Sequence, residues 1–192
     1  MRFTRTHTAR ATAAVVVAVP LALGALTSQS HAQDASPSPS GPFGSGCSAL
    51  SQKADTAKDK VVEAAAAYPQ LSQLVAAVVR AQLSGTLDGK PAVTIFAPNQ
   101  QAFQNVQASQ LSSLLGDQGQ LKKVLTYHVV DKQITPNQLS KGSFTTVEGS
   151  KLTTSGSGTD FKVNDKANIV CGNIKAANAT IYVVDAVLQP PS

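Results

Sequence analysis

Tryptophan is absent from this 192-residue chain, and histidine is scarce. Two of the three histidines, His7 and His31, lie near the N-terminus, so only His128 remains in the body of the chain. A metal site built from several histidines is therefore excluded. The lysines are scattered rather than clustered, which leaves no basic stretch of the kind that binds nucleic acid. We expect neither a metal nor a nucleic-acid partner.

Sequence signatures of catalysis are also missing. No serine lies in a G-x-S-x-G elbow, and no glycine-rich loop opens a helix in the manner of a phosphate cradle. The two cysteines, Cys47 and Cys171, are too far apart in sequence for C-x-x-C redox chemistry. A pair of carboxylates brought together by the fold stays open, because eleven acidic residues are present. We expect a non-enzyme without a cofactor.

Residues 1–32 have the composition of an export signal. A basic start with three arginines precedes an apolar run over 11–26, and Ser30 and Ala32 supply the small residues of a cleavage site. Loss of those three arginines lowers the formal net charge from +5 to +2, since none of the acidic residues lies in this segment. A transmembrane anchor and a lipid on Cys47 are the alternatives. The apolar run is short for an anchor, and Cys47 lies well beyond it.

A serine, proline and glycine-rich segment at 33–46 follows the signal. Its composition cannot bury enough surface to fold alone, so we interpret it as a disordered spacer. The remainder, 47–192, has the length and apolar content of one folded domain. After cleavage at residue 32 we expect no membrane span.

Export would place the two cysteines in an oxidising compartment, where Cys47 and Cys171 are each other's only possible intramolecular partner. A bridge between them closes a loop of more than a hundred residues. The chain-entropy model assigns a stabilisation of about 4.7 kcal/mol to such a loop. Two free thiols, or an intermolecular bridge, are the alternatives. We predict the intramolecular bridge.

Hydrophobic periodicity predicts helices in the first half of the domain and short strands in the second, which is an α+β arrangement. The predicted helices and helical turns cover 53–67, 71–83 (ended by Gly85), 100–103, 111–115, 121–125 and 136–139. The predicted strands cover 93–97, 127–130, 145–147, 151–154, 161–163, 168–171 and 180–188. Asn99 is expected to cap the helix that follows it, because an Asn side chain accepts hydrogen bonds from the first N–H groups of a helix.

The last strand, Thr180 to Leu188, is the most apolar and β-branched run of the domain, and two prolines close it. We expect it to be buried on both faces at the centre of the sheet. The turn-rich connection before it contains Cys171 and Asn173 and is a candidate binding loop. The Asn178-Ala179-Thr180 triplet has the form of a glycosylation sequon, but we interpret it as a turn.

The pair Tyr127-His128 has two interpretations. In the structural one, the tyrosine packs in the core and the histidine bonds to nearby backbone. In the functional one, His128 reaches the surface and contributes to a partner site.

Three stretches together resemble the fasciclin (FAS1) domain. They are Thr94-Ile95-Phe96-Ala97-Pro98 with Ala102-Phe103, then Leu125-Thr126-Tyr127-His128-Val129-Val130, then Ile181 to Pro191. The surroundings of Cys47 and Cys171 are similar to the secreted mycobacterial fasciclin antigens, which implies an actinobacterial source and agrees with the predicted bridge. The resemblance implies a single wedge of short β-strands packed with several α-helices.

The resemblance also implies an exported monomer, secreted or associated with the cell wall, that binds cell-surface or matrix proteins or glycans. In vertebrate matrix relatives an Asp-Ile pair and the Tyr-His motif are proposed to engage integrins. Asn173-Ile174 stands at the position of the Asp-Ile pair, so the carboxylate needed to bind a receptor-held cation is missing. The residues at the positions of these two motifs, Asn173, Ile174, Tyr127 and His128, are the candidate partner-binding residues. A carrier of a small apolar ligand is the alternative function, and a hydrolase is the third.

Peptide mass mapping of the exported protein without reduction is expected to yield one linked peptide pair that contains Cys47 and Cys171. The same digest after reduction is the control and should release both peptides. Alkylation of both cysteines before reduction would contradict the bridge.

Overall fold

A computed structural model describes residues 41–50 and 56–191. The predicted export signal and most of the predicted spacer lie outside these residues. The described part forms six α-helices and a seven-stranded sheet, so the predicted α+β class is confirmed. Within the described ranges, no helix is long and apolar enough to cross a membrane.

The helices are short and precede most of the strands. They are α1 (Val61–Ala66), α2 (Ser72–Arg80), α3 (Ser84–Asp88), α4 (Gln100–Gln104), α5 (Ala108–Gly116) and α6 (Gln118–Tyr127). The Asn99 side chain accepts a hydrogen bond from the Ala102 N–H at 2.8 Å, so the predicted cap of α4 is present. Asp117 caps α6 in the same way through the N–H groups of Gly119 and Gln120.

The seven strands form one sheet in the order β2-β1-β7-β6-β5-β4-β3. They are β1 (Val93–Pro98), β2 (Val129–Val130), β3 (Lys141–Thr145), β4 (Lys151–Ser157), β5 (Asp160–Val163), β6 (Ala167–Lys175) and β7 (Ala179–Val184). Only β1 and β7 are parallel, and every other neighbouring pair is antiparallel.

Strand β7 lies between β1 and β6, and all six of its residues are buried. This confirms the central, doubly covered strand. The strand ends at Val184, however, and does not continue to Leu188. Just beyond the strand, both the backbone N–H and the side-chain amide of Asn168 donate to the Asp185 carboxylate. Leu188 is buried all the same, 3% exposed, because the chain after Asp185 turns back into the core.

The two ends of the sheet meet. Val130 of β2 forms a single bridge with Thr146, just after β3, and the Val147 N–H donates to the Val129 carbonyl at 2.7 Å. The sheet is therefore curled almost into a barrel. One apolar core lies between the helices and the sheet, and a second fills the inside of the curl.

Two predicted helices have different bounds in the structure, one at its start and one at its end. The predicted helix at 53–67 is shorter, since α1 begins at Val61 after a separate turn of 3-10 helix. The predicted helix at 71–83 stops at Arg80 because Gln82 adopts φ 56°, a left-handed conformation that no α-helix continues. The chain then forms α3, which contains Gly85, the residue predicted to end the helix.

The folded domain begins before Cys47. Phe43 forms an antiparallel bridge with Gly172 of β6, with N–H···O distances of 3.1 and 2.7 Å. Its ring packs edge-on against Phe161 at 5.5 Å between centroids. We call residues 41–50 the strap. Residues 41–46 therefore belong to the fold and not to the predicted spacer, because one aromatic side chain and one β-bridge anchor an otherwise small and polar segment.

The structure joins Cys47 of the strap to Cys171 of β6 in a disulfide, with 4.8 Å between the Cα atoms and a sequence separation of 124 residues. Both cysteines are buried. The bridge holds the strap against the sheet beside the Phe43–Gly172 pair. The strap is therefore attached to neighbouring residues of β6, to Cys171 through the disulfide and to Gly172 through the bridge of Phe43.

The substitution Gly172→Ala is expected to lower the free energy of unfolding by about 1–3 kcal/mol, the range for overpacking a core. A Cβ at this position would lie 2.5 Å from Phe43 Cζ and 2.9 Å from Tyr182 Cδ1. Gly85→Ala is the control, because a Cβ there meets nothing within 4 Å, and it should be neutral or stabilising by up to about 1 kcal/mol. Urea unfolding of both variants checks this. Equal stability of Gly172→Ala and the wild type would show that the strap does not pack as described.

Candidate functional site

Tyr127 lies at the end of α6 and is buried, 2% exposed. Its hydroxyl accepts a hydrogen bond from Asn164 Nδ2 at 2.8 Å and donates to the Lys151 carbonyl at 3.1 Å. Asn164 has φ 51° in the turn between β5 and β6. The phenol thus connects the helix to the β4 strand and to this turn, and its polar atom is fully engaged inside the protein.

His128 is also buried, 1% exposed, and both ring nitrogens are bonded. The Leu188 N–H donates to Nε2 at 3.0 Å, so Nε2 carries no proton and Nδ1 donates to the Val124 carbonyl at 2.8 Å. Burial lowers the pKa of His128 from 6.5 to about 4, because the charged form has lost its water. The neutral imidazole therefore attaches the C-terminal segment to α6. This geometry agrees with the structural interpretation of the Tyr127-His128 pair, in which the tyrosine packs in the core and the histidine bonds to backbone.

Asn173 and Ile174 lie in β6 where its pairing with β7 is irregular. Asn173 has φ 60° and is 3% exposed, and its Nδ2 donates to the Gly41 carbonyl of the strap at 3.2 Å. Ile174 is opposite Ile181 and equally buried. The strap therefore covers the candidate binding loop.

The four candidate residues do not form one exposed surface. Tyr127 belongs to the core inside the curled sheet, whereas Ile174 belongs to the core beneath the helices. Each of the four is at most 3% exposed. Their role in binding a partner stays a prediction, and it requires either the strap or the C-terminal segment to move.

Asn178 has a structural role beyond the predicted turn. Its Oδ1 accepts from the Val61 N–H at 3.0 Å, and its Nδ2 donates to the carbonyls of Leu87 and Lys90 at 2.9 and 3.0 Å. One amide thus joins the start of α1, the end of α3 and the entry to β7. Only the turn was predicted from the sequence, because the partners lie 88 to 117 residues away.

A small cavity of about 30 Å³ lies between α1, α2 and the sheet. It is lined almost wholly by apolar side chains, and Leu74, Val78 and Ile181 are among them. This is room for about two water molecules, whereas pockets for small organic ligands measure about 300–1,000 Å³. The cavity is therefore too small for an organic ligand of ordinary size.

An open apolar groove lies on the outside of the helices, between α2, α4 and α5. Its volume is about 650 Å³, and Val79, Phe103 and Leu115 contribute to its walls. Val79 is 58% exposed, the only large apolar side chain so exposed in the described part of the chain. Among the same residues, no three His, Cys, Asp or Glu side chains are grouped to hold a metal ion.

Comparison with known proteins identifies relatives across most of the chain. Residues 69–190 match the fasciclin domain family. Immunogenic protein MPB70 of Mycobacterium bovis is 36% identical over 184 residues, which is 93% of this chain and 90% of that protein. Cell surface glycolipoprotein MPB83 of the same species is 37% identical over 166 residues, 84% of this chain and 70% of that protein.

A solved structure has the same fold. It is a FAS1 domain pair from the insect cell adhesion molecule fasciclin I, with a TM-score of 0.52 and 16% identity. The superposition covers 64% of this chain and 46% of that one, so this chain spans less than half of the domain pair.

The buried imidazole makes stability depend on pH. An unfolded chain takes up a proton on His128 below pH 6.5, whereas the folded protein resists protonation until about pH 4. The contribution is present above pH 6.5 and is lost as the pH falls to about 4. It amounts to about 3 kcal/mol, at 1.36 kcal/mol for each unit of pKa.

Urea unfolding above pH 6.5 and near pH 4 measures this loss. The variant His128→Gln is the control, since Gln does not titrate, and its stability should fall less over the same interval. Parallel pH profiles of the two proteins would contradict the role assigned to His128.

Proposed function

Because this chain belongs to the fasciclin (FAS1) family, we propose that it is an exported, non-catalytic binding module that contacts cell-surface or extracellular-matrix partners. It acts outside the cell or in association with the cell wall, as a monomer. Its partners are proteins or glycans of these surfaces.

The observation that carries this proposal is the relation to a cell-surface protein. A relative named a cell surface glycolipoprotein shares 37% of its residues with this chain over 84% of its length. The family match over residues 69–190 includes the disulfide-bearing β6 and the central β7. The insect structure of the same fold belongs to a cell adhesion molecule. Both support a role in surface contact.

The state of the reactive side chains supports a non-catalytic role. His128 is the only histidine among the described residues, and both of its nitrogens are bonded to backbone. Cys47 and Cys171 are joined, so neither supplies a thiolate. The Tyr127 hydroxyl is occupied by two internal hydrogen bonds. The side chains best suited to acid–base or nucleophilic chemistry are thus used to hold the fold.

The same burial favours contact through outward-facing strands and helices. Asn173, Ile174, Tyr127 and His128 act in this proposal by keeping the strap, β6 and the C-terminal segment in place. We do not propose the apolar-carrier function, because the internal cavity holds about 30 Å³. Direct contact of a partner with Asn173 would first require the strap to detach.

Purified protein lacking residues 1–32, labelled at its N-terminus, is expected to be retained by intact producing cells or by matrix-coated surfaces. Retention should saturate, and excess unlabelled protein should displace the label, because a specific surface has a finite number of sites. An unrelated protein of the same net charge is the control. Retention that equals the control and never saturates would contradict the proposed function.

A further inference from the structure

One edge of strand β6 has two different neighbours along its length. Strand β5 pairs with this edge only at Ala167 and Asn168, whereas β7 pairs with the other edge as far as Lys175. Farther along the edge that β5 leaves, Gly172 pairs with Phe43 of the strap through two backbone hydrogen bonds. Among the described residues, the strap therefore takes the place of an additional strand here. A strand edge of this kind is able to pair with another extended chain.

Phe43 fills an aromatic pocket at this edge. Its ring centroid lies 5.5 Å from that of Phe161 and 6.3 Å from that of Tyr182. The ring rests directly on the backbone of Gly172, because a Cβ at that position would lie only 2.5 Å from Phe43 Cζ. The pocket therefore has a glycine floor and two aromatic walls, and it accepts one aromatic side chain.

Polar contacts beside the pocket hold the backbone of the strap. Nδ2 of Asn173 donates to the carbonyl of Gly41, which comes two residues before Phe43. The N–H and the carbonyl of Gly172 bond to the carbonyl and the N–H of Phe43 itself. These hydrogen bonds engage only main-chain atoms of the strap, so they do not depend on its side chains. The edge thus recognises an extended segment by its backbone and by one aromatic ring.

Few groups other than the disulfide attach the first part of the strap. Of residues 41–48, only Phe43 and Cys47 are buried. Ordering a segment costs conformational entropy for every residue, and two buried side chains offset little of that cost. The disulfide to Cys171, the residue before Gly172, keeps the segment beside the edge at high local concentration. Cleavage of this bond leaves Phe43 as the main anchor.

The chain is fixed again just after this segment. Nε2 of Gln70 donates to the carbonyl of Ala49 at 2.8 Å, and Leu50 is buried in the core beneath the helices. Detachment of residues 41–48 would therefore uncover the aromatic pocket and the edge of β6 without removing any α-helix or β-strand from the domain.

We propose that the edge of β6 beneath the strap is a peptide-binding site that reduction of the Cys47–Cys171 disulfide opens. Its ligand is an extended segment of a partner protein that adds to β6 as a strand and places an aromatic side chain between Phe161 and Tyr182. The strap occupies the site in the oxidised protein and shows which chemistry fits it. This site goes beyond the proposed surface contact, which uses outward-facing groups while the disulfide is intact.

The opening step is a thiol–disulfide exchange with a dithiol as the reductant. One thiolate attacks the sulfur of Cys47, which is 8% exposed whereas Cys171 is fully buried. A mixed disulfide forms, and Cys171 leaves as a thiolate that takes up a proton. The second thiol of the reductant then attacks the mixed disulfide, so that Cys47 also leaves and is protonated. The dithiol ends as a disulfide, and two electrons and two protons have passed from it to the protein.

Chymotrypsin tests the opening, on protein that lacks residues 1–32. Cleavage after Phe43 should be absent while the disulfide is intact and should appear after reduction with dithiothreitol. Phe161 is the internal control and should stay uncut, because it belongs to β5. An unchanged circular-dichroism spectrum verifies that the sheet is retained. Protection of Phe43 after reduction, or cleavage of both phenylalanines through general unfolding, would overturn the proposal.

A labelled peptide of residues 41–50 with the substitution Cys47→Ala is the probe of the site. By fluorescence anisotropy it should bind the reduced protein and not the oxidised one. It should bind the variant F43A/C47A/C171A more tightly and without a reductant, because the variant's own strap lacks the competing ring. The matched control peptide also carries Phe43→Ala and should bind at least about tenfold more weakly, since an aromatic anchor contributes much of the binding energy.

Equal binding of the two peptides, or no binding to the reduced protein and the variant, would overturn the site. If the variant does not fold, the reduced wild type decides. Dimers of the reduced protein that exclude the probe in size-exclusion chromatography would assign the edge to strap exchange between copies and would also overturn the proposal.

The cell-retention assay is performed with the disulfide intact, so it separates this site from the proposed function. Retention on cells without binding of the probe to the reduced protein would remove the peptide site and leave the proposed function. Binding of the probe without retention on any cell or matrix surface would leave the peptide site and remove the proposed function.

Discussion

The parallel pairing of β1 with β7 is the contact on which the rest of the domain depends. It aligns Val93–Pro98 with Ala179–Val184, and all twelve residues are buried. One side of β7 faces the helices and the other faces the inside of the curled sheet, so this strand separates the two cores. Because β7 lies near the end of the chain, neither core can close before nearly all of the sequence is available. Such long-range pairing is slow to form. The disulfide between Cys47 and Cys171 restricts the unfolded chain over the same long range.

Buried polar side chains hold the remaining elements to this centre. Asn178 joins α1, α3 and the start of β7, and His128 attaches the C-terminal segment to α6. Thr94 accepts from the Ile134 N–H and donates to the Lys132 carbonyl, which fixes the chain after β2. Each of these groups would cost free energy if it were buried without a partner. The candidate residues of the sequence are thus bonded inside the fold, which supports the proposal that recognition uses outward-facing surfaces.

Much of the fold was predictable from local patterns, and most of the site was not. The strand at Val93, the central β7 and the Asn99 cap follow from periodicity and from the chemistry of a few neighbouring residues. Residues 41–46 of the strap were missed because their composition is that of a spacer, although Phe43 packs them against the sheet. Helix α3 was missed because Gly85 usually ends helices, whereas Gln82 supplies the break here. The burial of Asn173 depends on Gly41, which lies 132 residues away.

The sequence by itself determined the family and the α+β class, because motif order and hydrophobic periodicity are retained in the unfolded chain, and it left one intramolecular partner for each cysteine. Only the tertiary structure decided which polar groups are accessible. Tyr127, His128 and Asn173 became buried through partners on distant segments, while the exposed side chains of β3, β4 and β5 came to lie on one side of the sheet through strand register. Register joins residues far apart in sequence, and a shift by one residue would turn each side chain to the opposite face. The outward surface of this protein is thus a property of its strand pairing.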